Sequence, residues 1–371
     1  MTNTLLALNA GSSSIKFALY GCAPDLPLLQ KGSVRGLGTT PLFYPQDGSP
    51  ALALKHDLSY EEALSQILDA LPDCHKTQAV VHRVVHGGDL YTTPVVVTSK
   101  IIQNLKTLIP LAPLHQPHNL HPMEIFAKIS PDISQIAVFD TAFHAQRGEL
   151  TKTFALSPAL RSKGMKRYGF HGLSYEWITI CLSQERPDLL KGRVVAAHLG
   201  SGASVCAIQN GKSVDTSMGM TALDGLPMGT RCGSLDPGAL LFMWETLKMS
   251  PHEISHSLYH EAGLKGLSGI SNDVKVLLED PSKEAAFALE YFIFKTAQFM
   301  AMMAVSMGGV DAYVFSGGIG EKSEDIRRRI LEHLAFLGEK PSLVFTADEE
   351  KMMAQHAYHL LNERNMLHDP S

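Results

Sequence analysis

The chain has 371 residues, 45% hydrophobic and 19% charged, with a formal net charge of −5. That length suffices for two domains with cores of their own, and the charge gives no electrostatic footprint for nucleic acid or an anionic membrane. The five cysteines (Cys22, Cys74, Cys181, Cys206, Cys232) are scattered and form no CxxC pair, which argues against a disulfide framework or zinc site and for a reducing cytosol.

The N-terminal stretch shows no basic segment leading into an apolar run and a cleavage site, and no run is long enough to span a bilayer. A soluble, cytoplasmic protein is expected. Residues 4–20 predict two strands, because "TLLAL" is apolar throughout and "IKFALY" begins by alternating. Between them stands a polar turn with Asn9, Gly11, Ser12, Ser13 and Ser14, and Lys16 just beyond. So many donors in one short loop suit an anion. The turn is not a Walker A motif, which needs GxxxxGK[ST] and a following helix. Ser13 to Lys16 also spells SxxK, a serine-nucleophile motif. Its companion KTG is missing, and only "SND" at 271–273 approaches the other companion, which argues against acyl-enzyme chemistry.

"LSYEEALSQILDAL" (58–71) has helical spacing, with Ser59 as N-cap and Glu62 at the capping-box position. "QAVVHRVVHGG" reads as a buried strand ending in paired glycines. In "PLHQPHNLHP", His115, His118 and His121 recur every third residue. Two prolines argue against a regular helix there, and no carboxylate or cysteine completes a metal set, so a substrate-facing loop with one useful histidine is expected. "SQIAVFDTAFH" is a strand ending in an acid, and 145–166 reads as a crossing between domains. "RVVAAHLGSGASVCAIQNGKSVD" (193–215) repeats the opening pattern of strand, hydroxyl-rich turn and strand. Asn210-Gly211 adds a type I′ hairpin signal. One α/β unit used twice is therefore expected. The glycine-rich stretch 213–238 around Arg231 reads as a functional loop with an anion clamp. "PSKEAAFALEYFIFKTAQFMAMMAVSMGG" (281–309) predicts a long buried helix with methionines as core filler. In "VFSGGIGE" a strand meets a helix through small residues that let backbone N–H groups approach an anion. A last helix is predicted over 346–364, opening at Thr346.

Taken in order, "LNAGSSSIKF", "HRVVHGG", "LAPLHQPHN", "VFDTAFH", "RYGFHG", "GMTALDGLPMGTRCGSLDP", "SGISND" and "SGGIGE" make the chain resemble the acetate kinases from residue 5 to about 355. The resemblance implies an α/β fold of two ribonuclease-H-like domains, shared with sugar kinases, actin and heat-shock chaperones, with a nucleotide cleft between them. The expected domains are 1–145 plus 348–371, and 146–347. It also implies reversible phosphorylation of acetate by ATP, with Mg²⁺ as cofactor (Mn²⁺ able to substitute), and a homodimer joined through the second domain.

The same resemblance assigns roles. Asn9 and Glu349 would support the metal, with Ser12, Ser14 and Lys16 near the phosphates. Arg83 and Arg231 would bracket the carboxylate and the transferring phosphoryl group. Asp140 and His171 would complete the reacting centre, with His115 close by. Asp140 is expected as an organiser of the metal shell, with a buried ion pair to an arginine as the alternative. Val85, Leu114, Phe170 and Ala222 would line the methyl pocket. The nucleotide would be held by Ala196, Ala197, His198, Leu199 and Gly200, by Asp273, Val274 and Lys275, and by Gly317, Gly318, Ile319 and Gly320. Three residues depart from the family pattern: Ser201 for Asn, Lys322 for Asn and Ala222 for Pro. Propionate kinase is the nearer alternative, and a nucleotide-gated binding protein of the same superfamily the more distant one.

Overall fold

The computed structural model describes residues 3–45, 49–56, 58–71 and 77–368, which leaves Cys74 outside the description. The chain divides into two compact units, Met1–Ala142 with Asp348–Ser371, and Phe143–Ala347.

Unit 1 is built on one sheet of β1 (Thr4–Ala10), β2 (Ser14–Gly21), β3 (Leu28–Arg35), β4 (Leu42–Pro45), β5 (Leu52–Ala53), β6 (Thr77–Val84), β7 (Val95–Val96) and β8 (Ser134–Phe139). Their order is β5-β4-β3-β2-β1-β6-β8-β7. β1 runs antiparallel to β2 and parallel to β6, and β6 is parallel to β8. The apolar run of β1 reflects burial on both faces. Leu6 and Leu8 join Ile15 and Phe17 in a cluster with Leu64 and Ile67 of helix Tyr60–Ala70 and Ile125 and Phe126 of helix Gln116–Ile129. Leu5 and Ala7, pointing the other way, are equally buried. The capping box forms as the sequence predicts: Ser59 Oγ accepts from the Glu62 N–H at 3.1 Å, and Glu62 accepts from the Ser59 N–H at 2.8 Å.

Unit 2 carries β9 (Arg193–Leu199), β10 (Ala203–Gln209), β11 (Lys212–Thr216), β12 (Ala312–Ser316) and β13 (Ser342–Val344), in the order β11-β10-β9-β12-β13. β10 is antiparallel to both β9 and β11, while β12 is parallel to both β9 and β13. Five strands of unit 1, β3-β2-β1-β6-β8, have the same order and the same pattern of directions. This is the ribonuclease-H-like topology twice over, as the repeated hairpin suggests. Asn210 and Gly211 both have positive φ (51° and 71°), as a type I′ turn requires.

Several elements differ from expectation. Residues 116–129 form a regular helix despite both prolines. Pro117 sits in the first turn, where no N–H is needed. Pro122 lies inside, and buried Leu120, Met123, Ile125 and Phe126 hold the helix through it. The last helix runs Glu349–His368 and opens after Asp348, whose carboxylate accepts from the Lys351 N–H at 3.2 Å, so Thr346 is not its start. The glycines of "SGGIGE" are themselves a short helix, Gly317–Lys322. Helix Lys283–Ser306 buries Phe292, Ile293, Met300 and Met303 but exposes Phe287, Phe294, Met302 and Val305, so it is buried on one face only. No helix among the described residues is long and apolar enough to cross a membrane.

Two histidines are locked in these cores. Burial pushes His82 down to about 4, against a hydrogen bond of 2.8 Å to Gln135 that favours its charge. Burial, with the Arg147 guanidinium, pushes His144 down to about 3; its ring nitrogens meet Ser213 Oγ and the Phe170 carbonyl. Both stay neutral in the folded chain while the unfolded chain takes up protons near pH 6.5. Their contribution is therefore fully present above that pH and declines as pH falls towards their folded values. Urea titrations should show stability dropping between pH 6.5 and 4 by up to about 1.4 kcal/mol per pH unit for each histidine. A His82→Gln variant that still folds should flatten that slope; an unchanged slope would contradict the assignment.

Candidate functional site

In unit 1 the residues singled out by sequence gather at the carboxyl ends of three adjacent parallel strands. β1 runs out into the polar turn, where the Gly11 N–H donates to the Ser14 carbonyl at 2.8 Å and leaves Ser12 and Lys16 exposed. β6 runs out past Arg83 into Val85 and the paired glycines, and β8 ends at Asp140. Arg83 Nε and Nη2 donate to Asp140 Oδ1 and Oδ2 at 2.9 and 2.7 Å, and Nη1 meets Glu349 Oε2 at 2.8 Å. Asp140 is only 1% exposed. Burial opposes the charge on Arg83, but the Asp140 and Glu349 carboxylates outweigh it and hold its pKa above the ordinary arginine value. The ion pair weighed as the alternative for Asp140 is thus formed.

Glu349 is aimed from both sides along the chain. Lys31 on β3 reaches Asp348 at 3.3 Å and Glu350 at 3.0 Å. The Tyr20 hydroxyl also lies 3.5 Å from Asp348.

Sequence reasoning fixed on the histidines of "PLHQPHNLHP" and passed over the amides between them. Asn119 donates to the Ala10 carbonyl at 2.8 Å and accepts from the Val85 N–H at 3.0 Å, so it ties the end of β1 to the end of β6. Gln116 accepts from the His86 N–H at 3.2 Å and donates to the His86 carbonyl at 3.0 Å. Both amides are buried, on one helix face with Leu120 and Met123. His115 caps that helix by position without a side-chain cap bond. Among the described residues, no three His, Cys, Asp or Glu cluster as a metal cage.

In unit 2 the corresponding turn, Gly200 to Gly202, joins β9 to β10. A Cβ on Gly202 would stand 3.2 Å from His171 Nε2 and 3.8 Å from Arg231 Nη1, so both groups converge on this glycine. His171 holds a left-handed backbone (φ 58°) at the start of helix Gly172–Glu185. Such a conformation costs a non-glycine residue energy and often marks a working site. Its ring stacks on that of His198, centroids 4.6 Å apart. Arg231 Nη1 donates to the Ala222 carbonyl at 3.0 Å, so Ala222 holds the arginine by its backbone.

Beside this turn lies a cavity of about 590 Å³ lined by Gly200, Ser201, Asn272, Asp273, Val274, Lys275, Leu278, Gly318, Ile319, Lys322 and Ser323. Six of the expected nucleotide residues come together there, and Ser201 and Lys322, two departures from the family pattern, line it as well. Asp273 also caps the helix that follows, accepting from the Lys275 N–H at 2.8 Å. Ala196, Ala197 and Leu199 are fully buried in β9 and are not part of the lining, and neither His198, Gly317 nor Gly320 is. Gly317 serves differently: its φ is +77°, and a Cβ there would stand 2.7 Å from the Leu199 carbonyl oxygen. Only glycine lets β12 turn into helix Gly317–Lys322 so close to β9.

The model of the acetokinase family matches residues 4–358. An acetate kinase of Rhodopseudomonas palustris is 46% identical over 350 residues, covering 91% of this chain and 88% of its own length. Among solved structures, a propionate kinase from Francisella tularensis is 32% identical with a TM-score of 0.88, covering 95% of this chain and 98% of its own. An acetate kinase from Porphyromonas gingivalis is 33% identical with a TM-score of 0.86, covering 97% and 100%.

Asn119→Ala removes both ties between the ends of β1 and β6 and strands two buried backbone groups. It should cost about 1–3 kcal/mol of stability, and hydrogen exchange at the Val85 amide should speed up more than at the middle of β6. Unchanged protection at Val85 would contradict this role.

Proposed function

The chain belongs to the acetokinase family, and we propose that it is an acetate kinase, moving the γ-phosphoryl group of ATP to acetate to give acetyl phosphate and ADP, and the reverse. The observation that carries this reading is the 200–202 turn. Gly200 and Ser201 line a cavity of nucleotide size, and at Gly202 an imidazole and a guanidinium converge.

The chemistry needs little more than this. Acetate is already a nucleophile: a carboxylate oxygen forms the new P–O bond as the bond to the ADP oxygen breaks. The difficulty is assembling anions while charge spreads over the phosphoryl oxygens. Arg231 and His171 answer it as donors, and such electrostatic positioning supplies most of the catalysis in phosphoryl transfer. Ser12, Ser14 and Lys16 serve the phosphates. By the family resemblance, Val85, Leu114, Phe170 and Ala222 are the residues proposed to meet the methyl group.

The donors of unit 1 fit a Mg²⁺ that arrives with the nucleotide. Asp140 and Glu349 are hard carboxylates close enough to share one guanidinium, and Asn9 is the next-to-last residue of β1 in the same sheet. Mg²⁺ is usually held by one or two carboxylates plus substrate phosphates. When bound, the ion offsets phosphate charge, and Mn²⁺ suits the same oxygens. The free cysteines Cys22, Cys181, Cys206 and Cys232 suit the cytoplasm.

Propionate is the second reading, favoured by the likeness to the Francisella enzyme and by the small Ala222 at a position of the acyl pocket. A hydroxylamine trap for acyl phosphate, run with ATP and Mg²⁺ on acetate and propionate side by side, tests both. Acetate should give the higher kcat/KM, and excess chelator should abolish the signal. Arg231→Ala should lower kcat by about 10²–10³ with ATP binding kept. Turnover with no carboxylate, or full activity in chelator, would overturn the reading.

We also propose a homodimer through unit 2. Its support is an apolar surface at 235–247, where Leu241, Phe242, Trp244 and Leu247 are each more than half exposed, joined in character by Phe287 and Val305. A monomeric soluble protein rarely shows so contiguous an apolar run. Sedimentation at micromolar concentration should give a dimer, and Trp244→Glu should weaken it; a wild-type monomer would contradict the proposal.

A further inference from the structure

His171 is the end of a buried chain of hydrogen bonds. Its Nδ1 lies 2.9 Å from Ser204 Oγ, which lies 2.5 Å from the Tyr175 hydroxyl. Ser204 and Tyr175 are both fully buried. Among the described residues, Ser204 Oγ is the hydrogen-bond partner of the Tyr175 hydroxyl. Serine and tyrosine each bring one proton, so the direction of the chain follows. The buried Tyr175 hydroxyl gives its proton to Ser204 Oγ, and Ser204 gives its own to its other partner, Nδ1. The reverse direction would take from the buried phenol proton the acceptor that Ser204 supplies. A neutral imidazole that accepts at Nδ1 carries its proton on Nε2, and Nε2 is the atom facing Gly202.

We propose that Ser204 and Tyr175 are positioning residues that hold His171 as the neutral Nε2–H tautomer, a ready donor to the transferring phosphoryl group. The proposal rests on the reading that His171 serves phosphoryl transfer. Its surroundings favour neutrality. Arg231 Nη1 meets the same glycine, and the stacked His198 ring is itself held at Nδ1 by Ser174 Oγ at 2.7 Å. A charged His171 would face a fixed cation. A neutral donor beside Arg231 still stabilises developing charge and needs no proton taken up first. Burial holds the Tyr175 phenol well above its ordinary value, so it remains a donor throughout any working pH.

Two-bond ¹H–¹⁵N spectra of the imidazoles read the tautomer directly in the protein without substrate, with His171 assigned through a His171→Gln variant. The wild type should show Nε2 protonated and Nδ1 bare. Ser204→Ala should mix the tautomers and lower kcat about tenfold, the worth of one neutral hydrogen bond, with KM little changed. Tyr175→Phe should act in the same direction and less strongly. A wild-type Nδ1–H tautomer would overturn the proposal. So would a Ser204→Ala protein whose tautomer is unchanged, even if its melting temperature falls, since that would make the serine structural only. The spectra need no acyl acceptor, so a failed acetate assay registers against the functional reading and not against the relay.

Discussion

The guanidinium of Arg83 joins three segments that are far apart in sequence. Through Asp140 it holds the end of β8 to β6, and through Glu349 it fixes the first residue of the last helix. Burying these charges costs several kcal/mol each, and the geometry has to return it: each nitrogen of the guanidinium meets a carboxylate oxygen. Lys31 secures the neighbouring Asp348 and Glu350 from β3. Consecutive acids are thus drawn to opposite cations where the chain re-enters unit 1. This fixes where the last helix begins, and with it the position of Glu349. It also means that truncating Arg83 would remove an ion pair from each of two carboxylates, typically costing about 3–5 kcal/mol, so Arg231, held by a backbone carbonyl, is the cleaner probe of chemistry.

Both units place their functional turns by the same rule. Ligand sites in sheets with parallel strands collect beyond the carboxyl ends of those strands. In unit 1 those ends lead to the serine turn after β1, to Val85 after β6 and to Asp140 after β8. In unit 2 they lead to Gly200–Gly202 after β9 and to Gly317 after β12. The order and directions of the strands therefore account for where polar residues interrupt otherwise apolar runs.

How much was legible in the sequence follows from what each residue answers to. Strands such as "TLLAL" and "RVVAAHL" are readable because burial on both faces demands continuous apolar residues. The 58–71 helix is readable because its cap is local. The helix over 116–129 was hidden because its prolines obey a local rule that tertiary packing overrides. The last helix was placed early because Asp348, its true cap, stands among acids that look alike in sequence. Asn119 and Gln116 were missed because their partners, Ala10, Val85 and His86, lie 30 residues or more away. Ser204 was missed for a related reason: within "ASVCAIQ" a small hydroxyl passes for filler, and only the approach of His171 and Tyr175 gives it work. Of the 196–200 stretch, Gly200 lines the cavity, while Ala196 and Ala197 are buried in β9.

The arrangement also constrains the acceptor. Kinases that phosphorylate an alcohol need a base to take the hydroxyl proton. Asp140 is poorly suited to that task here: both of its oxygens accept from Arg83, and taking up a proton would sacrifice charge-assisted bonds of 2.9 and 2.7 Å at a site 1% exposed. Glu349 is engaged by the same guanidinium. A unit whose carboxylates are committed to a cation can serve an acceptor that arrives already ionised far better than one that must first lose a proton. A short carboxylate meets that condition and a sugar hydroxyl does not.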